Sequence, residues 1–574
     1  MFIPTTRAEM SNLGWEQLDI ILLTGDSYID SPFMGVAIIG NVLLEAGYRV
    51  GIIAQPDYQA PADITRLGEP RLFWGVTAGS IDSMVANYTA TGKPRRSDDY
   101  TPGGRNTRRP NRATLVYANL IRRYFKNTVP IVLGGVEASM RRIAHYDFWS
   151  DSIRRSVLFD AKADYLLYGM AEGSILELAA HLDKGQPPEQ IPGLCYISHD
   201  IPEGYLEIPG YETVLDDKNA FIDMFHTFYR NQDPVSAQGL AQRHRDRYLI
   251  HNPPFPHLDQ SALDRVYNLK YEREQHPYYA REGAVKALET IRFAIPTHRG
   301  CYGECAFCAI AVHEGRTVRW RSEESILEEA RKLTRLPDFK GYILDLSGPT
   351  ANMYGFECPR KLQKGACPDR VCIYPDVCPS LPVDHSKQTE LLKKIRQVPG
   401  IKKVFIGSGL RYDLILSDSE HGQAYLEELV GHHVSGQLKV APEHSQPEVL
   451  ARMRKPDRDK LLDFKQRFDS LNEDIRKNQF LSYYLIAAYP GCTLADMRAL
   501  KGFASRELGV LPEQVQVFTP TPSTYASLMY YTEKDPFTGE KIFVEKNPAA
   551  KKSQKKVITG RSKPPRSHRR RRRK

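Results

Sequence analysis

No apolar run in this chain approaches the roughly 20 residues needed to cross a bilayer as a helix. Stretches such as Tyr483 to Tyr489 are far too short. The first residues, MFIPTTRAEM, lack a basic start followed by an apolar segment. No secretion signal is therefore expected, and the expected address is the cytoplasm, without a membrane partner. A stitched disulfide framework is also missing: the nine cysteines are odd in number, and seven of them crowd between 301 and 378, leaving Cys195 and Cys492 apart. Clustering of that kind in a cytosolic chain points to metal rather than to disulfides. Acid is absent from residues 551–574, which hold thirteen Lys and Arg; removing them takes the net charge from +10 to −3. The basicity thus belongs to the end of the chain, and the remaining body is slightly acidic. A solvated, disordered tail is expected over 531–574, with nucleic acid as a candidate partner through counterion release.

What is present is βα alternation in two stretches. In residues 1–185, apolar segments at Leu18 to Leu23, Val50 to Ala54, Leu72 to Thr77, Ile131 to Leu133 and Tyr165 to Tyr168 read as strands, and Val36 to Ala46 reads as a helix stopped by Gly47. Apolar strands separated by amphipathic helices predict an α/β domain with a doubly wound parallel sheet. Ligands in such domains sit at the carboxyl ends of the strands, here Gly25-Asp26-Ser27, Ala78-Gly79-Ser80 and Gly134 to Glu137. A polar loop from about Asn87 to Arg112, with seven Lys and Arg, interrupts this domain. Residues 186–285 are rich in proline and weakly periodic, and read as a connector. Residues 286–530 return to βα repetition, with strands expected at Ile291 to Ile295, Tyr342 to Leu346, Lys403 to Ile406, Gln437 to Val440, Tyr483 to Ala487 and Gln514 to Phe518. Six such units predict a partial (β/α)6 barrel with its chemistry at the C-terminal ends of the strands.

Directly after the first of these strands comes Thr297-His298-Arg299-Gly300-Cys301-Tyr302-Gly303-Glu304-Cys305-Ala306-Phe307-Cys308. Thiolates are the natural ligands of a cubane cluster, and three of them at C-x3-C-x2-C spacing hold three irons and leave the fourth open. An open iron can take the amino and carboxylate groups of S-adenosylmethionine (SAM), whose reductive cleavage yields a 5′-deoxyadenosyl radical. Gly300 and Gly303 allow the tight loop, and Phe307 is placed to flank the cluster and the adenosine. The competing reading is a structural zinc completed by His298 or His313.

This loop and its flanks resemble the radical SAM enzymes, and the chain as a whole resembles the YgiQ-type radical SAM proteins. The resemblance is carried by THRGCYGECAFCAIAVHEGR (297–316), SGPTANMYG (347–355), GSGLRYD (407–413), LKVAPEHS (438–445) and AAYPGCT (487–493). The core is also similar to the methylthiotransferases through LKVAPEHSQPEVLARMRKP (438–456). The resemblance implies that Ser347, Gly348, Pro349 and Thr350 bind the methionine amino group, although Ser347 stands where the family has glycine. It places Arg411 where it pairs with the SAM carboxylate, a surface ion pair being the other reading, and Glu443 and His444 toward the ribose or the substrate. An electron donor such as flavodoxin or ferredoxin is implied as a partner. The substrate stays unnamed; methyl or methylthio transfer to RNA or protein is the subtype that the core resemblance suggests. An RNA-binding module with structural zinc is the alternative from another class.

Cys358, Cys367, Cys372 and Cys378 form a second set, inside a Cys-rich insertion at 352–385. Its spacing suits a second Fe–S cluster, a zinc ion or free thiols. The N-terminal domain resembles the cobalamin-binding domains that precede many radical SAM cores, but the fingerprint D-x-H-x-x-G is missing, which argues against bound cobalamin. Cys195 and Cys492 are expected to be buried small hydrophobes.

Overall fold

The computed structural model describes residues 1–510, 512 and 515–559. Its first half is built on a nine-stranded sheet. Five strands, β1 (Ile20–Thr24), β2 (Val50–Ala54), β3 (Phe73–Thr77), β4 (Ile131–Leu133) and β5 (Tyr165–Leu167), run parallel in the order β2-β1-β3-β4-β5. Side chains alternate across a strand, and here both faces are covered. Ile21 and Leu23 enter one core with Tyr117 and Ile121 of the helix Ala113–Tyr124. Ile20 and Leu22 enter another with Val36, Ala37 and Leu43 of the helix Gly35–Glu45 and with Ile175 and Leu178 of the helix Glu172–Asp183. That is the doubly wound arrangement expected of near-continuous apolar strands.

The connector holds helix, as in Lys218–Arg230 and Gln260–Asn268, and also sheet. Strands β6 (Leu194–Ser198), β7 (Leu206–Ile208), β8 (Leu240–His244) and β9 (Arg247–His251) extend the first sheet in the order β5-β6-β9-β8-β7, antiparallel except for the last pair. Proline breaks helical periodicity but not an added edge, so composition concealed these strands.

The second half holds β10 (Ala294–Pro296), β11 (Tyr342–Ile343), β12 (Asp345–Ser347), β13 (Lys403–Val404), β14 (Gln437–Glu443), β15 (Phe480–Ala487) and β16 (Val515–Val517). All pair in parallel: β10 with β12, β11 with β13, and β14 with β15 with β16, while a single bridge joins Leu410 to Val440. The expected first strand is displaced, since Leu288–Ile291 is a helical turn and pairing begins at Ala294. Their inward residues, among them Ile295, Ile343, Leu346, Val404, Leu438, Val440 and Tyr483, share one core with the helices Glu323–Thr334 and Ser386–Arg396.

Two further expectations changed. The polar loop at 87–112 is closely held: it delivers Arg109, fully buried, to Asp26 at the end of β1 (2.5 Å) and to Asp98 (3.2 Å). The segment after 530 is not a bare tail either. The helix Pro548–Thr559 buries Lys551, Gln554 and Ile558, and Gln554 Oε1 accepts from the backbone N–H of Ala488 at 2.9 Å. Of its three buried residues only Ile558 is apolar, which is too little to read as a core pattern. The remaining basic residues, 560–574, lie outside the described residues. No described helix is long and apolar enough to cross a membrane.

Candidate functional site

The loop from Thr297 to Cys308 leaves the end of β10. Gly300 adopts φ +80°, and a Cβ there would lie 2.3 Å from the carbonyl oxygen of Thr317, so only glycine fits. Gly303 sits between two sulfurs: a Cβ on it would meet Cys301 Sγ at 3.2 Å, Cys305 Sγ at 3.4 Å and Arg411 Nη1 at 3.4 Å. Its N–H donates to Cys301 Sγ (3.3 Å), and Thr350 Oγ1 lies 3.4 Å from the same sulfur. Burial, and then the neighbouring Cys305 thiol, push the Cys301 thiol above its ordinary range; burial does the same to Cys308. Soft sulfur donors, hydrogen-bonded and gathered around a glycine with no side chain, are the chemistry an iron–sulfur cluster requires.

Among the described residues, no three ligand atoms drawn from these cysteines and nearby His, Asp or Glu lie within 4.8 Å of one another. A tetrahedral zinc at Zn–S of about 2.3 Å needs its sulfurs about 3.8 Å apart. The histidines offered for zinc are engaged elsewhere. His298 Nε2 donates to the Thr350 carbonyl at 2.9 Å, and burial lowers its pKa to about 4. His313 Nδ1 lies 3.1 Å from Ser139 Oγ in the other half of the molecule.

The turn Ser347-Gly348-Pro349-Thr350 follows β12, which pairs with β10. Gly348 packs on His298, whose ring a Cβ would approach to 2.6 Å. Thus β10 and β12 bring this turn to the cysteine loop. Ser347, Gly348 and Pro349 line a cavity of about 480 Å³. Its opposite wall is made by the strand ends of the N-terminal sheet, including Asp26, Gly79, Ser80, Gly134 and Gly135. The carboxyl ends of both sheets therefore face one space.

Arg411 is committed to a neighbouring acid. It is buried, and its Nε and Nη2 donate to the two carboxylate oxygens of Asp413 at 2.8 and 2.6 Å. The pair is buried rather than at the surface, and it leaves Nη1 outside the fork. Nη1 stays turned to Cys305 Sγ, 3.9 Å away. Phe307 has Tyr489 edge-on at 6.3 Å between ring centroids. It lines a second cavity of about 430 Å³ with Gly407, Ser408, Lys439, Glu443 and Tyr484. His444 is buried and neutral, with Nε2 3.5 Å from Cys492 Sγ. Cys195 and Cys492 are fully buried.

Sequence reasoning missed Lys455. Its ammonium donates to the Ala441 carbonyl (2.9 Å), lies 3.4 Å from Glu443 Oε1 and sits 5.7 Å from the centre of the Phe307 ring. Burial pulls this amine down, but the Cys305 thiol and Glu443 outweigh it and hold it above its ordinary range. Glu443 itself takes φ +67°, a left-handed conformation unusual for a side chain of its size. The only sequence signal for Lys455 was its place near the end of the stretch 438–456.

Residues 2–294 match the family model described as radical SAM N-terminal, and 513–563 match a domain of unknown function, DUF3362. The chain is 54% identical over 559 residues to a UPF0313 protein of Fusobacterium nucleatum subsp. nucleatum, covering 97% of this chain and 98% of the relative. It is 48% identical to a UPF0313 protein of Thermotoga maritima, covering 95% and 96%. Among solved structures, the radical SAM methyltransferase TsrM of Kitasatospora setae aligns with 16% identity and a TM-score of 0.49, covering 88% of this chain and 74% of that one. The cobalamin-dependent radical enzyme OxsB aligns with 12% identity and a TM-score of 0.48, covering 90% and 56%. The near full-length identity to the curated relatives decides the matter: the chain belongs to the UPF0313 family and carries a radical SAM N-terminal domain.

Proposed function

We propose that this protein is a radical SAM enzyme whose [4Fe–4S] cluster is held by Cys301, Cys305 and Cys308, at the mouth of a partial (β/α)6 barrel. Two sulfurs set about Gly303, with Thr350 reaching one of them, carry this reading. When bound, the reduced cluster and SAM supply a 5′-deoxyadenosyl radical. Ser347 to Thr350 orient the methionine end, and Phe307 borders the adenosine side. Arg411 and Lys455, both buried, set positive charge beside Cys305, which offsets the negative charge of a reduced cluster. The cavity of about 480 Å³ between the two sheets admits the substrate and shields the radical from water.

The electron comes from a flavodoxin- or ferredoxin-type donor, and methyl or methylthio transfer to RNA or protein is the subtype to test first. Cys358, Cys367, Cys372 and Cys378 are read as a second metal site, iron–sulfur or zinc. The reading that cobalamin is unlikely rests on the missing D-x-H-x-x-G alone, and the comparisons do not support it: TsrM and OxsB were solved with cobalamin. The RNA-binding module with structural zinc is the alternative from another class, and zinc in the purified protein with salt-sensitive RNA binding would favour it.

The test is anaerobic incubation of the full chain with dithionite and SAM. Production of 5′-deoxyadenosine is expected; none from protein holding about four or more irons, with cell extract added as a substrate source, overturns the proposal.

A further inference from the structure

We infer that Cys358, Cys367, Cys372 and Cys378 bind a second [4Fe–4S] cluster, one thiolate to each iron, and not zinc. This deepens the reading of that set as a metal site and is independent of SAM cleavage at the first loop.

The four cysteines sit on one compact knuckle. Cys358 precedes the short helix Pro359–Lys364; Gly365, at φ +78°, ends it and leads to Cys367. The chain then turns back, so that the N–H of Cys378 donates to the carbonyl of Cys372 at 2.8 Å. Cys358, Cys372 and Cys378 all pack on one apolar cluster with Tyr302, Phe356 and Ile373.

Zinc asks for tighter spacing than these sulfurs have. A mononuclear site draws its donors to a common centre, with sulfurs about 3.8 Å apart around zinc. Four cysteines on a cubane each bind a different iron, which places their sulfurs roughly 6 Å apart. Among the described residues, no three ligand atoms of any kind around this knuckle fall within 4.8 Å of one another. The triad that does, Asp384, Asp418 and His421, contains no cysteine.

Charge supports thiolates on this knuckle. Arg360 Nη1 donates to Cys367 Sγ at 3.2 Å, and the buried ammonium of Lys361 lies 3.8 Å from Cys372 Sγ. Lys361 also reaches Glu357 (2.9 Å) and stands 4.7 Å over the ring of Tyr302, the residue next to Cys301. Cations donating to sulfur offset the negative charge that four thiolates bring to a half-buried cluster. With every iron carrying a protein thiolate, this cluster has no vacant corner for SAM. Cys367 and Cys378 line a separate chamber of about 850 Å³, together with Tyr229, Tyr374, Arg454 and Tyr525. The cluster therefore borders a different space from the Ser347 turn.

The test uses full-length protein made anaerobically, with iron, sulfide and zinc measured in wild type, in a C301A/C305A/C308A variant and in C367S. About eight irons are expected in wild type and about four in each variant, with the triple variant retaining a [4Fe–4S] Mössbauer signature. One zinc and no iron in the triple variant overturns the cubane while leaving a metal site. No metal in the triple variant, together with about four irons in both wild type and C367S, overturns the site altogether. Cys367 is half-buried at the chamber wall, so C367S is the variant best placed to keep the fold.

Discussion

Arg299, two residues before the first cysteine of the radical SAM loop, is joined to Glu172 of the N-terminal domain, Nη1 to Oε1 at 2.5 Å, with both side chains more than nine-tenths buried. Arg299 Nε donates to the Tyr267 hydroxyl oxygen at 2.8 Å. The pair ties the loop to the helix that follows β5, across the cavity shared by the two sheets. Removing one partner of a buried pair strands the other charge, at a cost of about 3–5 kcal/mol. Glu172→Gln should therefore lower the first thermal transition and raise hydrogen exchange around 297–301. Replacing both as Glu172→Leu and Arg299→Met should recover most of the lost stability. An unchanged transition in Glu172→Gln would show that the pair does not hold the halves together.

Gly303→Ala places a methyl between two sulfurs and Arg411, at 3.2–3.4 Å from each. Once a cluster fills that space the methyl has nowhere to go. Iron content after anaerobic reconstitution should fall several-fold. Gly409→Ala is the matched control, because a Cβ there meets nothing within 4 Å, and its iron content should equal wild type.

Cys305→Ala and Cys492→Ala should part company. The first removes a sulfur faced by Arg411 at 3.9 Å and should abolish 5′-deoxyadenosine formation. The second removes a buried thiol that burial pushes up to about 12, and it should keep SAM cleavage within about twofold of wild type while costing about 1 kcal/mol of stability. Equal damage from both would refute the ligand assignment.

Lys551 gives the docked C-terminal helix a pH dependence. Burial against Phe148 and Tyr530 lowers its amine to about 8, from about 10.4 in an open chain. Between those values the undocked segment binds a proton that the docked one does not, so docking strengthens as pH rises through that window. Limited proteolysis at 540–559 should slow between pH 7.5 and about 9.5, once corrected for protease activity. Lys551→Met should remove most of that slope; an identical slope in the variant would assign it to another group.

The residues that carry chemistry were legible before any coordinates. Cys301, Cys305 and Cys308 lie within eight positions, and a loop that short keeps its members together whatever the rest of the chain does. The same holds for Ser347 to Thr350 at one strand end, and for strands such as Val50–Ala54 and Ile131–Leu133, whose burial on both faces demands unbroken apolar runs. Three features stayed hidden for physical reasons. The edge strands at 194–251 carry no strict alternation and are interleaved with proline-bearing turns. The helix at 548–559 buries a lysine and a glutamine beside one isoleucine, and only its packing shows which few positions are inside. Long-range pairs such as Arg299 with Glu172, or Lys455 with Glu443, join residues whose partners depend on how the strands are ordered.

Local spacing along the chain thus determined the closeness of the thiols proposed as ligands and the βα character of both halves, because these depend on contacts between near neighbours. Tertiary structure alone decided that Arg299 pairs with Glu172, that Lys455 stands beside the cysteines, and that the two sheets open on one cavity. Those outcomes depend on which distant segments share the buried space, where an unpaired charge is too costly to leave alone.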